Sequence, residues 1–258
     1  MKLGFRTAGY RDWSLPDAFG SIAGAGFDGV EVCLEHKEAR PEELSARRAE
    51  QIAAEARAAG LEVASVSYHA DNEPDGLRTR NQRRAVVLTP DFGTNILILN
   101  ARTVIEGRGQ QQWDEFKHNL DSLLPLAQAE GVLICLEPEP GHFLDSCADM
   151  ERLLREVGHP NLKVNLDVGH AFLTDADLTA AIRALGPAIA HTHVEGMRAG
   201  IHKHLTPGHG DLDLVAAYRA LEAAAYAGYY TVDLFDIAQD PETHAKVSRE
   251  GLRRLWGV

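Results

Sequence analysis

The sequence predicts one (β/α)8 TIM-barrel domain over residues 1–258, and two observations lead to this fold class. Short apolar runs rich in β-branched residues alternate eight times with longer amphipathic runs. Several of the amphipathic runs end on a glycine, and the next apolar run begins two or three residues later. Such alternation indicates parallel strands joined by right-handed crossovers, and eight units in about 250 residues have the size of this barrel.

The eight predicted strands have the length and composition of strands buried in a parallel sheet. They cover residues 3–6, 29–34, 62–67, 95–99, 132–137, 163–166, 188–194 and 230–235. Predicted helices follow them over residues 16–26, 42–60, 79–88, 111–130, 147–157, 177–185, 212–227 and 241–255. Ser14 is a candidate N-cap and Pro16 lies in the first turn of the first helix. Gly60 is suited to end the second helix.

A doubly wound open sheet is the alternative fold, and it would normally carry a glycine-rich phosphate turn after an early strand. The letters Gly24-x-Gly26-x-x-Gly29 match that motif. However, they lie at a helix end and lead into a strand, the reverse of the order that phosphate binding requires. The barrel is therefore the better prediction.

Composition excludes several classes of function. The formal net charge of −12 repels phosphate backbones, so we expect no nucleic-acid partner. The three cysteines are odd in number and lack paired spacing, which argues against a disulfide framework. No apolar run reaches 18 residues and the first residues do not resemble a signal peptide. We therefore expect no membrane association and a cytoplasmic location.

Acidic and imidazole side chains recur where the predicted strands end. In this barrel the reactive residues lie at the carboxyl ends of the strands, and four neighbouring strands carry Glu137, Asp167, His193 and Asp233 there. Each residue alone is more simply explained as a solvated loop residue or helix cap. Together, buried charges of this kind need a cation, and the donor set suits Mn²⁺, Mg²⁺, Co²⁺ or Zn²⁺.

Four histidines occur as two pairs with a spacing of two residues. His191 and His193 share one face of a strand, which indicates a polar barrel interior at that level. We expect His202 and His204 to lie on a surface loop unless a ligand draws them inward.

Four segments resemble a known family, the sugar isomerase/epimerase superfamily of xylose isomerase-like TIM barrels. They are Cys135-Leu136-Glu137-Pro138-Glu139, Asn165-Leu166-Asp167-Val168-Gly169-His170, His191-Thr192-His193-Val194 and Gly228-Tyr229-Tyr230-Thr231-Val232-Asp233-Leu234. The resemblance extends over the whole chain, since residues 26–31 are also similar to the family's second strand. These motifs are specific for the superfamily but not for one reaction.

The resemblance implies a site with one divalent metal ion. Glu137, Asp167 and His193 would be ligands, and Asp233 stands where the fourth ligand is usually glutamate. It also implies substrate-binding roles for His69, Arg198 and His170, the last lying near the substrate oxygens or a second metal ion. His209 replaces the glutamate of a Pro-Gly-Glu-Gly loop, and Glu139 is an additional candidate acid beside the substrate.

The chemistry implied is proton abstraction next to a metal-bound carbonyl of a small sugar or keto-sugar, through an enediolate. Glu137 would be the base, and Asp233 a second acid or base across the substrate. Aspartate is one methylene shorter than glutamate, so a one-base enzyme or a β-eliminating lyase or dehydratase acting on a keto-sugar or inosose fits equally well. Product mass distinguishes the two, because elimination alone changes it. The resemblance also suggests a homo-oligomer.

Two further functions are weighed against these. An endonuclease IV-like phosphodiesterase would need more histidines and a basic groove, whereas the fourth strand ends in Asn100-Ala101-Arg102 without a histidine. A sugar-binding module without catalysis would be indicated by loss of Glu137 or Asp167, and both are present.

Overall fold

The computed structural model describes residues 1–257 and confirms the predicted barrel. Eight parallel strands close in the order β1, β10, β7, β6, β5, β4, β3, β2, and β8 pairs with β9 as a separate antiparallel hairpin. The strands are β1 Lys2–Arg6, β2 Gly29–Cys33, β3 Glu62–Ser67, β4 Ile96–Asn100, β5 Leu133–Glu137, β6 Leu162–Asp167, β7 Ile189–Val194, β8 Gly196–Arg198, β9 Ile201–Leu205 and β10 Tyr229–Val232.

Helices surround the barrel and cover its outer face. They are α1 Leu15–Gly24, α2 Ala46–Ala58, α3 Asp75–Leu88, α4 Gly109–Ala129, α5 Cys147–Val157, α6 Val168–Thr174, α7 Leu178–Leu185, α8 Leu214–Ala223 and α9 Pro241–Trp256. Ser14 caps α1 as predicted, because its side chain accepts a hydrogen bond from the Asp17 amide. Ser146 caps α5 in a complete capping box with Asp149.

Three elements differ from the sequence-based prediction. The last barrel strand ends at Val232 rather than continuing to residue 235, so Asp233 follows the strand directly. The short helix α6 was not predicted, because it begins immediately after the strand residue Asp167. The hairpin of β8 and β9 occupies a segment that was expected to be a loop.

Side chains alternate between the barrel interior and the layer beneath the helices. Leu3 and Phe5 of β1 are buried in the outer layer, where the Phe5 ring meets Phe27 edge to face. Gly4 faces the interior, and a Cβ there would lie 2.6 Å from Oγ1 of Thr231. Position 4 therefore has no room for a larger side chain. Arg6, two residues further along β1, is the next residue that faces the interior.

The interior of the barrel contains a polar layer beneath its carboxyl end. His191 Nδ1 lies 2.8 Å from Oδ1 of Asn165, and its Nε2 lies 3.1 Å from the hydroxyls of both Ser65 and Thr231. All four residues are buried. Because each polar group has a partner, the layer supports the residues above it without the cost of unsatisfied buried groups.

Cys33, Cys135 and Cys147 are buried and free of disulfides. Within residues 1–257, no helix combines the length and apolar character needed to cross a bilayer.

Candidate active site

The carboxyl ends of four adjacent strands bring together the residues that the sequence proposed as metal ligands. Glu137 ends β5, Asp167 ends β6, His193 lies in β7 and Asp233 follows β10. One ligand atom from each lies within 4.8 Å of the others, and all four residues are buried. Three carboxylates this close repel one another strongly in a low-dielectric interior, which favours a shared cation.

The orientation of His193 also suits a cation. Its Nε2 lies 2.9 Å from Oε2 of Glu31, and a carboxylate only accepts, so Nε2 carries the hydrogen. In the neutral ring, the Nδ1 lone pair then faces the Asn165 amide Nδ2 at 3.1 Å, with Glu137 Oε2 at 3.3 Å and Asp233 Oδ2 at 3.8 Å beside it. Among residues 1–257, Oδ1 of Asp233 is buried without a hydrogen-bond partner. The donor set therefore fits a divalent ion.

Glu137 lies at the centre of the four proposed ligands, and its Oε2 has polar neighbours on several sides. Its Oε2 accepts a hydrogen bond from Asn165 Nδ2 at 2.9 Å and lies 3.3 Å from His69 Nε2. Burial opposes ionisation, but His193 and His69 hold the pKa of Glu137 well below its ordinary value. The carboxylate is therefore an anion at neutral pH, held in one orientation.

Arg6 is a site residue that the sequence reasoning missed. It ends β1 and is 5% exposed, with its Nη1 2.9 Å from Asp233 Oδ2 and its Nε 3.1 Å from Glu31 Oε1. Burial opposes its charge, but Asp233 and other nearby anions raise its pKa well above the ordinary value. The available signal was a basic residue at the end of the first strand, on the same barrel edge as the acidic residues.

The residues proposed to bind substrate divide into two groups. His69, Glu139 and His170 line a cavity of about 610 Å³ that opens above Glu137 and Asp233. This volume lies in the range of small-molecule sites. The structure does not bring the other two proposed residues to this cavity. Arg198 is exposed on β8, and exposed His209 lies with its Nδ1 3.1 Å from Thr206 O of its own loop.

The expected surface loop at His202 and His204 is a strand instead, although His202 is exposed as expected and His204 is half-buried. Both residues belong to β9 and line the cavity instead of a surface loop. His204 Nδ1 lies 2.8 Å from the Asp233 carbonyl oxygen, and its Nε2 lies 3.1 Å from Nε2 of His170. The hairpin folds back over the barrel, so β9 brings His202 and His204 to the cavity. Arg198, which the resemblance implied as a substrate-binding residue, lies on β8 and does not line it.

Close packing around residue 169 explains why a glycine lies between Asp167 and His170. Asp167 caps α6 by accepting a hydrogen bond from the His170 amide at 2.7 Å. A Cβ on Gly169 would overlap the Glu195 carboxyl and the end of Met197. Burial, followed by repulsion from Asp167, raises the pKa of Glu195 well above its ordinary value. A neutral Glu195 can thus lie beside Asp167 without adding another charge.

The closed barrel, with its polar site at the carboxyl ends of the strands, defines the class of (β/α)8 proteins. The family model described as "Xylose isomerase-like TIM barrel" matches residues 19–255. The chain therefore belongs to the xylose isomerase-like TIM-barrel family, as its motifs suggested.

Two curated relatives illustrate the range of similarity. Fructoselysine 3-epimerase of Escherichia coli O157:H7 is 23% identical over 270 residues, covering 99% of this chain and 98% of that protein. A Danio rerio protein named "Putative hydroxypyruvate isomerase" is 28% identical over 152 residues, covering 57% of this chain and 52% of that protein. The chain thus aligns to about half the length of the second relative and to nearly all of the first.

Solved structures share the fold over the full chain. A D-psicose 3-epimerase crystallised in the presence of D-fructose superposes with a TM-score of 0.80 at 18% identity, covering 100% of both chains. A "probable 3-DHS dehydratase" of Bacillus anthracis superposes with a TM-score of 0.79 at 20% identity, covering 98% of both chains. At these identities the superpositions establish the fold alone.

Proposed function

We propose that the protein is a metal-dependent isomerase or epimerase of a small sugar or keto-sugar that removes a proton next to a carbonyl. The observation that carries this proposal is the convergence of Glu137, Asp167, His193 and Asp233 beneath one cavity. The named relatives support the class of reaction, because they include an isomerase and epimerases of small sugars.

The cavity has the properties of a site for a polyhydroxylated molecule. Its lining is dominated by carboxylates, imidazoles and guanidinium groups, with few apolar side chains such as Ala70 and Phe235. Such groups can donate to and accept from hydroxyls, which fixes the orientation of a sugar. A volume of about 610 Å³ leaves room for a monosaccharide-sized substrate.

Glu137, Asp167, His193 and Asp233 would hold the divalent ion. When bound, that ion supplies Lewis acidity toward a substrate carbonyl. Glu137 would accept the proton from the substrate carbon next to that carbonyl, since it is the most central of the three carboxylates in the ligand set. The guanidinium of Arg6 donates to Nδ1 of His69 at 3.3 Å, so His69 Nε2 carries the hydrogen that faces Glu137. His69 and Asn165 thereby hold the base in place.

Asp233 is better suited to hold the ion than to exchange protons with substrate. Its Oδ2 is paired with the buried, permanently charged Arg6. Protonation of Asp233 would weaken that pair, so returning a proton to substrate through this residue is disfavoured. Glu137 would then serve as the single base, which suffices for isomerisation because it can return the proton to the neighbouring carbon. Epimerisation would need a second group to return the proton to the opposite face, and Glu139 at the cavity wall is the candidate acid, with His170 binding hydroxyls.

The same pairing supports a second candidate function, a keto-sugar or inosose dehydratase. In β-elimination one base can take the proton next to the carbonyl and return it to the leaving hydroxyl, which departs as water, so no second acid at the Asp233 position is needed. Named dehydratases among the similar proteins agree with this alternative. A distinction between the two reactions therefore has to come from the product.

Proton exchange in deuterated water tests the proposal. Protein loaded with Mn²⁺ is incubated with hydroxypyruvate, D-fructose, D-psicose and 3-dehydroshikimate, and the products are followed by NMR and mass spectrometry. We expect deuterium at the carbon next to the carbonyl, with mass otherwise conserved for isomerisation and water lost for elimination.

The matched variants are Glu137→Gln and the exposed Glu106→Gln. Glu137→Gln should slow exchange by about 10²–10⁴-fold, the usual contribution of a positioned general base. Glu106→Gln should leave it unchanged. Equal exchange rates in wild type and Glu137→Gln would contradict the assigned base.

A further inference from the structure

The turn that follows β3 carries His69 and has a strained backbone. Ala70, the next residue, has a φ of +53°, a left-handed conformation that residues with a Cβ rarely adopt. Such a conformation persists only where neighbouring groups hold it in place. The ring of His69 lines the cavity, with its Nε2 3.3 Å from Oε2 of Glu137. The groups that hold this turn therefore also set the position of the His69 ring.

Glu35 reaches this turn from the neighbouring strand. β2 and β3 lie side by side, and Cys33 is opposite Ser67 in their register. Glu35 and His69 each follow two residues later. Oε1 of Glu35 accepts hydrogen bonds from two successive backbone amides, that of His69 at 3.0 Å and that of Ala70 at 2.6 Å. Successive amides beside a left-handed residue form a small concavity that suits an anionic oxygen.

The second oxygen of Glu35 is also engaged, and the opposite side of the His69 backbone is held as well. The Cys33 thiol donates to Oε2 of Glu35 at 3.0 Å. Burial, followed by the charge of Glu35, raises the pKa of the Cys33 thiol well above its ordinary value, so the thiol keeps its hydrogen. Nε of Arg78 donates to the His69 carbonyl oxygen at 2.8 Å. The His69 backbone is thus fixed at its amide by Glu35 and at its carbonyl by Arg78.

We propose that Glu35 is a positioning residue of the active site, which holds the turn at residues 69–70 and thereby the His69 ring against Glu137. Both Glu35 oxygens are occupied by protein donors, so its role is to hold rather than to exchange protons. A misplacement of about 1 Å in an active site can lower the rate about 100-fold. The effect on catalysis rests on the proposed function, in which Glu137 is the base, whereas the effect on the His69 ring does not.

Nitrogen NMR of histidine-labelled protein with Mg²⁺ present tests the positioning without any substrate. Glu35→Ala removes the acceptor, Glu35→Asp withdraws it by one methylene, and Glu35→Gln keeps an oxygen in the same place. We expect the ring signals of His69, assigned from His69→Gln, to shift or broaden in the first two variants and to stay close to wild type in Glu35→Gln. The signals of buried His191 should not change in any of them. The control Glu43→Ala, at an exposed position, should leave all histidine signals unchanged.

Exchange kinetics in deuterated water test whether this positioning matters for proton transfer. Glu35→Ala should lower kcat about 10–100-fold, and Glu35→Gln should recover most of that loss. KM should stay within about twofold, because no contact to substrate is removed. In a His69→Gln background, Glu35→Ala should change kcat by less than about twofold, because residues that act as a unit are not additive. Circular dichroism verifies folding, and Glu35→Asp takes the place of Glu35→Ala if the latter does not fold.

Three results would overturn the positioning role. They are unchanged His69 signals in Glu35→Ala, a loss confined to KM, which would mean that Glu35 binds substrate directly, and multiplicative losses of kcat in Glu35→Ala/His69→Gln. Failure of the proposed function has a different signature. The wild type would then exchange no proton of any substrate, while the His69 signals would still respond to Glu35→Ala and support the positioning of the ring.

Discussion

Arg6 and Asp233 form a buried ion pair between the first and last strands of the barrel, with Nη1 2.9 Å from Oδ2. The pair lies at the carboxyl edge, above the register in which Phe5 is opposite Val232. Glu31 lies 3.1 Å from Nε of the same guanidinium. One arginine thus compensates two carboxylates, only one of which belongs to the proposed ligand set.

Replacement of Arg6 by methionine should destabilise the protein severely. Removing one partner of a buried ion pair leaves the other charge uncompensated, which costs about 3–5 kcal/mol. Urea unfolding measures the change, with the exposed Arg47→Met as the control. Arg6→Lys should lose less stability, because lysine keeps the positive charge although it lacks the planar, forked guanidinium that contacts both carboxylates. A loss below about 1 kcal/mol for Arg6→Met would contradict the role of the pair.

Glu31→Gln should weaken binding of the ion in the carboxylate site without removing a ligand. Glu31 Oε2 accepts hydrogen bonds from His193 Nε2 at 2.9 Å and from Ser65 Oγ at 2.8 Å, which orients the imidazole. Loss of such an orienting partner typically reduces metal affinity 10–100-fold. Competition against a chelator measures it, and the exposed Glu43→Gln serves as control. An affinity within about twofold of wild type would exclude this orienting role.

Gly169→Ala should be destabilising because a methyl group there overlaps the Glu195 carboxyl. Overpacking of this kind costs about 1–3 kcal/mol. Gly24→Ala is the matched control in another helix, since a Cβ at that position meets nothing within 4 Å. The double variant Gly169→Ala/Glu195→Ala should lose less stability than the sum of the single variants. Additive losses would show that Glu195 does not limit the space at residue 169.

Glu156 should make the stability of the contact between α4 and α5 dependent on pH. Hydrogen bonds from Lys117, Trp113 and Arg152 lower the pKa of Glu156 from 4.5 to about 2. Its stabilising contribution is therefore complete above about pH 4.5 and is lost as the pH falls toward 2. Urea unfolding of wild type and Glu156→Gln should show a stability difference that shrinks over this interval. A difference independent of pH would contradict the assignment.

The barrel could be predicted from the sequence because its strands carry a strong local pattern. Each predicted run corresponds to one barrel strand, and Glu137 and Asp167 lie at strand ends because parallel strands finish on one edge. The predicted bounds were less accurate at residues 230–235. The apolar residues Leu234 and Phe235 continue the pattern, although pairing has already stopped at Val232.

The parts of the site that were missed depend on contacts outside the barrel pattern. The hairpin of β8 and β9 turns through Ala199 and Gly200, and Gly200 has a φ of +71°. Ala-Gly is not one of the Asn-Gly, Asp-Gly or Gly-Gly pairs that signal a two-residue hairpin turn, and the polar residues His202, Lys203 and His204 gave no strand prediction. Arg6 could not be assigned from the sequence because its role depends on its long-range contacts with Asp233 and Glu31, which no local pattern at the end of β1 reveals.

The pairing of β1 with β10 has a consequence for the order in which the molecule can fold. Arg6 and its partner Asp233 are separated by 227 positions, so β1 is synthesised long before β10. A growing chain in which β10 has not yet left the ribosome can form most neighbouring strand pairs, but it cannot close the barrel. The Arg6 guanidinium also lacks one of its two carboxylate partners until Asp233 is present. Chains that stop before β10 are thereby kept from closing the barrel, and the binding cavity assembles only after β10 has been synthesised.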